Sequence, residues 1–190
     1  MFYRPQHLQI DAVLQQLNST IFHENFAYFG GGTLIALTHD EYRQSNDIDF
    51  ICSLQSSGYK QLRTQIFDQG YRVLFQPSEQ ITIGRATTDQ YGIRLVVEID
   101  SNSIKLEIIA EARFLAGKPQ QLPWLSLPCL NQEDLWTSKL LANADRFMDS
   151  SILSRDLIDL AVLRLSSPIP TTSLKTAEAA KDQLGFQPNG

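Results

Sequence analysis

Three consecutive glycines, Gly30 to Gly32, restrict the local fold of this chain more than any other part of its sequence. The β-prone segment 26–29 precedes them, and residues 33–37 follow with the composition of a helix. Glycine lets the backbone turn sharply and approach a ligand closely, and the first turn of a helix presents unpaired amide groups that attract phosphate. Although such a turn is often only structural, the pattern places Gly31, Gly32 and Thr33 as candidate phosphate-binding residues.

A pair of acidic residues, Asp47 and Asp49, follows Thr33 by about fourteen residues in the β-rich segment 47–52. Side chains alternate along a strand, so the two carboxylates share one face, with Cα atoms roughly 6 to 7 Å apart, while Ile48 faces the core. Two neighbouring carboxylates repel each other, and Mg²⁺ or Mn²⁺ would neutralise both through hard oxygen ligands. An isolated pair of this kind is commonly a solvated strand end, but its position after the glycine turn favours a metal site.

A third carboxylate is expected on a neighbouring strand, because two-metal transfer reactions use one to hold the second ion or to activate the acceptor hydroxyl. Glu107 is the candidate, since it interrupts the otherwise apolar segment 104–109. Glu98 and Asp100 compete for the role, because they lie in a similar alternating segment one hairpin earlier. Periodicity alone does not choose among the three.

The remaining pattern predicts mixed helices and strands followed by helices alone. We expect helices at 5–19 and 59–69, a strand at 71–75, and an antiparallel extension of the sheet from strands at 80–85, 93–99 and 104–110. A proline-punctuated connector at 117–128 leads to helices at about 131–149, 154–166 and 173–184, with Asn131 as the first N-cap and Ser154 or a neighbour as the second. The prediction is therefore a core at 1–116, then a connector and helical subdomain at 117–190.

Composition narrows the class of protein. A hydrophobic fraction of 43% with 19% charged residues is typical of a folded, water-soluble domain, and the absence of a long apolar run indicates a cytoplasmic protein that does not interact with membranes. Cys52 and Cys129 lie too far from other ligands to suggest structural zinc, and Cys52 is expected in the core. A net charge of −5 is not the footprint of a strongly basic nucleic-acid binder, so any nucleic acid must meet a local patch.

Residues 31–33, together with Arg-Gln-Ser-Asn-Asp-Ile-Asp-Phe at 43–50, resemble the signature of the polymerase-β-like nucleotidyltransferase superfamily, and more narrowly the AbiEii/AbiGii toxin family. The resemblance implies an α+β fold, with a mixed sheet, flanking helices and a C-terminal helical subdomain. It also implies NTP and Mg²⁺ as reactants, a type IV toxin–antitoxin context with an antitoxin partner, and a tRNA end as acceptor. Ser45 becomes a nucleotide-binding candidate on the same ground.

The resemblance extends to the helical half, where Lys139, Arg146 and the pair Asp156 and Asp159 match the family pattern, with Arg155 where Lys is more usual. It implies that these four residues bind the nucleotide, in a cleft beside the sheet. Lys139 and Arg146 are two helical turns apart and so share one face, from which both could reach a triphosphate. We expect Lys139→Ala to weaken NTP binding without changing the melting temperature.

Two rival functions remain from the sequence. The acceptor could be a small hydroxyl compound or a protein side chain, which the acidic net charge slightly favours. A different class of function is a catalytically silent protein of the same fold that acts as a binding partner. A glycosyltransferase with an Asp-x-Asp motif would need a longer chain.

Overall fold

The computed structural model describes residues 2–78, 80–100, 102–146, 148–149 and 154–183. The chain forms two compact units, Met1–Leu130 and the segment from Asn131 onward. Sequence analysis grouped residues 117–130 with the helical half, whereas in the structure they belong to the first unit. The reason is that this segment adds strands to the sheet.

The first unit contains a mixed sheet. Its strands, among the described residues, are β1 (Ala27–Gly30), β2 (Asp47–Ser53), β3 (Thr82–Thr88), β4 (Gly92–Ile99), β5 (Asn102–Glu111), β6 (Gln120–Leu122) and β7 (Leu125–Cys129). Their order across the sheet is β3-β4-β5-β2-β1-β7-β6. The central strand β2 pairs antiparallel with β1 and parallel with β5, and β3, β4 and β5 pair antiparallel, which confirms the predicted extension.

Helices flank this sheet, namely α1 (Pro5–Gln16), α2 (Ser19–Glu24), α3 (Gly31–Thr38) and α4 (Gly58–Gln69). The predicted helices at 5–19 and 59–69 are confirmed apart from their ends, whereas α2 was not predicted. Strand β2 supplies the centre of the core through Phe50, whose ring lies 4.3 Å from that of Phe22 and 5.6 Å from that of Phe29 between centroids. Tight aromatic packing at β2 therefore holds the strand that carries the two aspartates.

The strand predicted at 71–75 is wrong, because Tyr71–Leu74 forms a 3₁₀ helix. Gly70 ends α4 with a φ of +75°, and its carbonyl accepts a bond from the Val73 N–H at 3.3 Å, which curls the chain instead of extending it. Leu74 is fully buried, so tertiary packing overrides the β propensity of the segment. Only Phe75 keeps a strand-like contact, through an isolated bridge to Leu17.

The connector predicted at 117–128 also contains regular structure that the sequence analysis missed, since β6 and β7 lie within it. Leu125 and Leu127 are buried, as alternation in a strand requires. Strand β7 pairs with β1 through Phe29 and Cys129, and the Leu130 N–H donates to the Phe29 carbonyl at 2.8 Å. The prolines concealed β7 because Pro128 lies inside it, at a place where the register with β6 is irregular and a proline is tolerated.

The second unit contains three helices among its described residues, α5 (Gln132–Arg146), α6 (Arg155–Ser166) and α7 (Thr171–Gln183). The Asn131 cap is confirmed, because its Oδ1 accepts a bond from the Asp134 N–H at 2.9 Å. Ser154 precedes α6 as predicted, but it has a φ of +57° and makes no side-chain capping bond. The sequence therefore predicted where α6 begins, but it did not predict the conformation of the residue before it.

Two expectations from composition can be compared with the structure. Cys52 and Cys129 are fully buried free thiols, and burial raises the pKa of each to about 12, so Cys52 is the core residue that was predicted. Within the described residues, no helix has both the length and the apolar character that crossing a membrane requires.

Candidate active site

The two aspartates of β2 lie on one face of the sheet. Asp47 and Asp49 are partly buried, whereas Ile48 and Phe50, which alternate with them, are fully buried on the other face. The predicted alternation is therefore confirmed. The core anchors the strand through its apolar residues, and this leaves the carboxylates at a surface where a ligand can reach them.

The glycine turn packs directly against Asp49. Gly30 is the last residue of β1 and pairs with Asp49 across the sheet, and Gly31 opens α3 with a φ of +68°. A Cβ placed on Gly31 would lie 2.4 Å from Asp49 Oδ2 and 2.8 Å from Asp49 Cβ. Only glycine fits here, because both the backbone angle and the space exclude a side chain. The unpaired amides at the start of α3 thus lie beside a metal-binding candidate.

Thr33 and Ser45 connect α3 to the start of β2. The Thr33 hydroxyl donates to the Asp47 carbonyl and lies 2.7 Å from the Ser45 hydroxyl, and both side chains are buried. Their hydroxyls are thus used inside the protein, and the groups at this turn best suited to phosphate are backbone amides. The nucleotide-binding role of Thr33 and Ser45 stays a prediction.

A buried histidine supports this connection, and sequence reasoning missed it. The Ser45 N–H donates to His7 Nε2 at 2.9 Å, and His7 Nδ1 lies 2.7 Å from Glu41 Oε1. Glu41 also accepts the N–H groups of Tyr3 at 2.6 Å and Arg4 at 3.1 Å. The chain thereby links α1 to the segment that precedes Asp47. No spacing rule could find it, because His7 lies far from Glu41 and Ser45 in sequence.

The electrostatics of this network favour an ionised Glu41. Burial acts to raise the pKa of the Glu41 carboxyl, but the N–H groups of Tyr3 and Arg4 and the His7 ring together outweigh it, so that the pKa lies below its ordinary value of 4.5. A buried, ionised carboxylate therefore lies in the segment between α3 and β2.

Glu107 lies next to Asp49 in the sheet. The parallel register of β2 and β5 pairs Asp49 with Glu107 and Asp47 with Lys105, so these four side chains share one face. Glu107 is itself held by two cations, with Arg94 Nε 3.1 Å from Oε1 and Lys105 Nζ 2.7 Å from Oε2. The register thus brings together the acids that sequence analysis grouped.

The competing acids lie elsewhere. Glu98 is on β4 and pairs with Ser103 on one side and Thr82 on the other, so β5 separates it from β2. Asp100 lies in the exposed turn between β4 and β5, where its φ is +47°. Neither has the direct neighbour relation with Asp49 that Glu107 has.

The donors present suit a divalent cation that a nucleotide helps to hold. Mg²⁺ commonly binds through one or two carboxylates together with substrate oxygens, and Asp47 and Asp49 offer such a pair beside the glycine turn. Among the described residues, no group of three potential ligands is already assembled around one point. Glu107 is held by its two cations in this conformation, so its role as a metal ligand stays a prediction.

In the second unit, the four helical candidates form one cluster. Lys139 Nζ lies 3.0 Å from Asp156 Oδ1 and 2.6 Å from Asp159 Oδ2, and Arg146 Nη2 lies 2.9 and 2.8 Å from the two oxygens of Asp156. The Lys139 side chain is only 8% exposed, whereas that of Arg146 is 49% exposed. This burial changes the expectation for Lys139→Ala: because the ammonium neutralises two buried carboxylates, we now expect the substitution to lower the melting temperature.

Comparisons with known proteins can be set beside this geometry. The model of a family described as nucleotidyl transferase AbiEii toxin, type IV TA system, matches residues 12–186. The search of curated proteins gave no match. Among solved structures, an antigenic nucleotidyltransferase-like protein from Paracoccidioides brasiliensis has a TM-score of 0.56 at 12% identity, over 94% of this chain and 86% of that chain.

Two other solved structures give lower scores. The antibiotic-resistance factor ANT(2'')-Ia has a TM-score of 0.48 at 11% identity, over 87% of this chain and 88% of its own. JHP933 from Helicobacter pylori has a TM-score of 0.41 at 15% identity, over 94% of this chain and 91% of its own.

The fold of the structure and the matching family model both indicate a nucleotidyltransferase. The structural similarity shows a nucleotidyltransferase fold, which confirms the predicted α+β class of mixed sheet and flanking helices. The family match includes the glycine turn, the Asp47 and Asp49 pair and the helical cluster, and it spans most of the sequence. The chain belongs to the AbiEii nucleotidyltransferase toxin family and is a nucleotidyltransferase.

Proposed function

We propose that this nucleotidyltransferase requires Mg²⁺ or Mn²⁺ and transfers a nucleotide from an NTP to RNA, with a tRNA end as the acceptor. One observation carries the proposal, namely the register that aligns Gly30, Asp49 and Glu107 on the adjacent strands β1, β2 and β5. This register supports the proposal because it brings the glycine turn, one aspartate and Glu107 to adjacent strands, where bound phosphate, a metal ion and a third acid would meet, as nucleotidyl transfer requires.

The glycine turn and the three acids of the first unit each have a role in this proposal. The amides at Gly31 and Gly32 hold phosphate oxygens, and Asp47 and Asp49 hold the metal ion, which when bound neutralises charge on the phosphates. The acceptor hydroxyl attacks the α-phosphorus, and pyrophosphate leaves as the P–O bond to it breaks. Glu107 accepts the hydroxyl proton on a carboxylate oxygen, after that oxygen has parted from Arg94 or Lys105.

The helical cluster of the second unit is a separate nucleotide-binding candidate in this proposal. Arg146 is the accessible cation of its cluster, because its side chain is half exposed, and its planar guanidinium suits phosphate oxygens. Lys139, Asp156 and Asp159 hold the cluster in place through short contacts. A phosphate group bound by Arg146 would therefore replace one of the contacts between Arg146 and Asp156.

The family description also supports a biological setting. Membership of a type IV toxin family suggests an antitoxin partner, and a toxin that modifies tRNA would act on translation. The acidic net charge of −5 favours an alternative acceptor that is not RNA. A small hydroxyl compound and a protein side chain both fit, since neither requires a broadly basic surface.

The test is to incubate the protein with each labelled NTP, Mg²⁺ and total RNA, and to ask which fraction carries the label. We expect labelled RNA in the size range of tRNA, and no label in EDTA. Asp47→Asn and Asp49→Asn should abolish labelling and Glu107→Gln should reduce it strongly, by about 10² or more. Asp100→Asn and Glu98→Gln are matched controls, because both side chains are exposed acids on the β4 side of the site.

Three results would contradict the proposal. Labelling that persists in EDTA, or in the double variant Asp47→Asn with Asp49→Asn, would remove the metal assignment. A Glu98→Gln variant that loses activity while Glu107→Gln retains it would transfer the third role to Glu98. Label found only in protein or in small molecules would establish the alternative acceptor class.

A further inference from the structure

One face of α4 carries side chains that the core does not use. Lys60, Arg63 and Phe67 occupy positions i, i+3 and i+7, so they form a single stripe along the helix. All three are exposed, and Phe67 is 89% exposed. Leu62 and Ile66 on the other face are buried, so α4 is held in place without the stripe.

The stripe borders a groove of about 750 Å³, which we call the α4 groove. Its lining also includes Tyr59 of α4, Tyr71 and Thr88. The Tyr59 hydroxyl donates to the Asp89 carbonyl at 2.7 Å, and the Tyr71 hydroxyl lies 2.9 Å from the Thr88 hydroxyl, so this lining is fixed by hydrogen bonds. The described lining residues include two cations and no carboxylate.

We propose that the α4 groove binds the single-stranded end of the RNA acceptor. Proteins that bind single strands combine cations for the phosphates with aromatic faces on which bases stack. Phe67 offers an open ring, Lys60 and Arg63 offer the cations, and the Arg63 guanidinium lies 6.0 Å from the centre of the Tyr59 ring. In a chain of net charge −5, the groove is a local patch of the opposite sign.

The groove lies at the β3 edge of the sheet, in the same unit as the candidate active site. Thr87 on β3 pairs with Arg94 on β4, and Arg94 pairs with Glu107 on β5, so Thr87 lies two strand spacings, roughly 10 Å, from Glu107. Thr88, the next residue, points to the opposite face of β3 and lines the groove there, at the open edge of the sheet. Arg94 contacts both Glu107 and, at 3.1 Å, Asp89 Oδ2. The Asp89 carbonyl in turn accepts the hydroxyl of Tyr59, which lines the groove. This proposal rests on the proposed RNA acceptor and names where that RNA docks.

The experiment measures binding apart from catalysis. The full chain is titrated, without NTP, into a fluorescent single-stranded RNA of about 12 nucleotides, and anisotropy is followed at several salt concentrations. Phe67→Ala should weaken binding at least about fivefold with the salt dependence unchanged, and Phe67→Trp should restore it because the stacking face returns. Lys60→Gln should lower the slope of log K against log salt by about 0.7, one phosphate contact.

Matched controls are Tyr3→Ala, which removes a ring that is 87% exposed, and Lys175→Gln, which removes an exposed cation of the second unit. Both should bind the RNA like wild type. The groove proposal is overturned if Phe67→Ala and Lys60→Gln also bind like wild type. If Phe67→Ala instead changes only the sedimentation coefficient, the stripe is a protein contact and the proposal fails.

The outcomes separate this proposal from the proposed function. Wild type that labels RNA while the stripe variants bind it normally refutes the groove and leaves the function intact. Wild type that binds RNA through the stripe but labels none supports the groove and refutes the function. Wild type that neither binds nor labels RNA refutes both.

Discussion

Lys139→Met tests the buried cluster of the second unit most directly. The substitution removes the ammonium that lies 3.0 Å from Asp156 Oδ1 and 2.6 Å from Asp159 Oδ2, and it keeps most of the volume of the side chain. The two carboxylates are 6% and 0% exposed, so water cannot replace the lost charge. Their mutual repulsion then acts against folding, although Arg146 still contacts Asp156.

The magnitude follows from the distances. At about 3 Å and an effective dielectric constant of about 20, each contact corresponds to roughly 5 kcal/mol of Coulomb attraction, offset by the desolvation that the pair has undergone. Removing one partner of a buried pair typically costs about 3 to 5 kcal/mol, which for a chain of this size lowers the melting temperature by about 6 to 20 °C. The assay is thermal and urea unfolding followed by circular dichroism.

Two further variants make the result decisive. Lys175→Met, at an exposed position of α7, should melt like wild type. Adding Asp159→Leu to Lys139→Met should recover most of the loss, because it removes one of the two carboxylates that Lys139 contacts, and Asp156 keeps Arg146. A Lys139→Met protein that melts like the Lys175→Met control would refute the buried-cluster reasoning. NTP affinity measured on the folded variant then shows whether Lys139 also binds nucleotide.

Three more predictions follow from the first unit and the start of the second. The pKa of Glu41 in the folded protein lies below 4.5, so its carboxylate stabilises the fold above pH 4.5 and this stabilisation is lost as the pH falls. The midpoint of urea unfolding should therefore fall less between about pH 6 and about pH 3 in Glu41→Gln than in the wild type. Gly31→Ala should abolish NTP binding and destabilise strongly, whereas Gly70→Ala, whose φ of +75° and ψ of 172° cost about 1 to 3 kcal/mol but which has open space around it, should leave NTP binding intact; loss of NTP binding in both variants would contradict the steric argument. Asn131→Ala should cost about 1 kcal/mol by urea unfolding, through loss of the bond to the Asp134 N–H, and an unchanged midpoint would show that the cap does not stabilise α5.

What the sequence predicted about this protein was mainly local. The glycine turn, the alternation of Asp47 and Asp49 with Ile48, and the Asn131 cap depend on residues within a few positions of one another, and the structure contains all of them. Local rules suffice here because backbone geometry fixes where neighbouring side chains point.

The features that escaped prediction depend on distant contacts. Tyr71–Leu74 curls because Leu74 is buried, and β7 exists because Phe29 offers it a partner. The contact of His7 with Glu41 has no signature in spacing, since it joins two separate segments. Periodicity likewise placed Lys139 on a helix face but did not reveal the carboxylates that α6 brings to it.

The parallel pairing of β2 with β5 has a consequence for the time at which the toxin becomes competent. During synthesis the glycine turn and the aspartates of β2 leave the ribosome well before Glu107, and a parallel partner reaches β2 only after α4, β3 and β4 have been made. Closing so long a loop costs entropy before any pairing compensates for it, so β5 joins β2 late in folding. A nascent chain therefore carries the glycine turn, Asp47 and Asp49 without Glu107, and the proposed set of site residues exists only in the finished first unit.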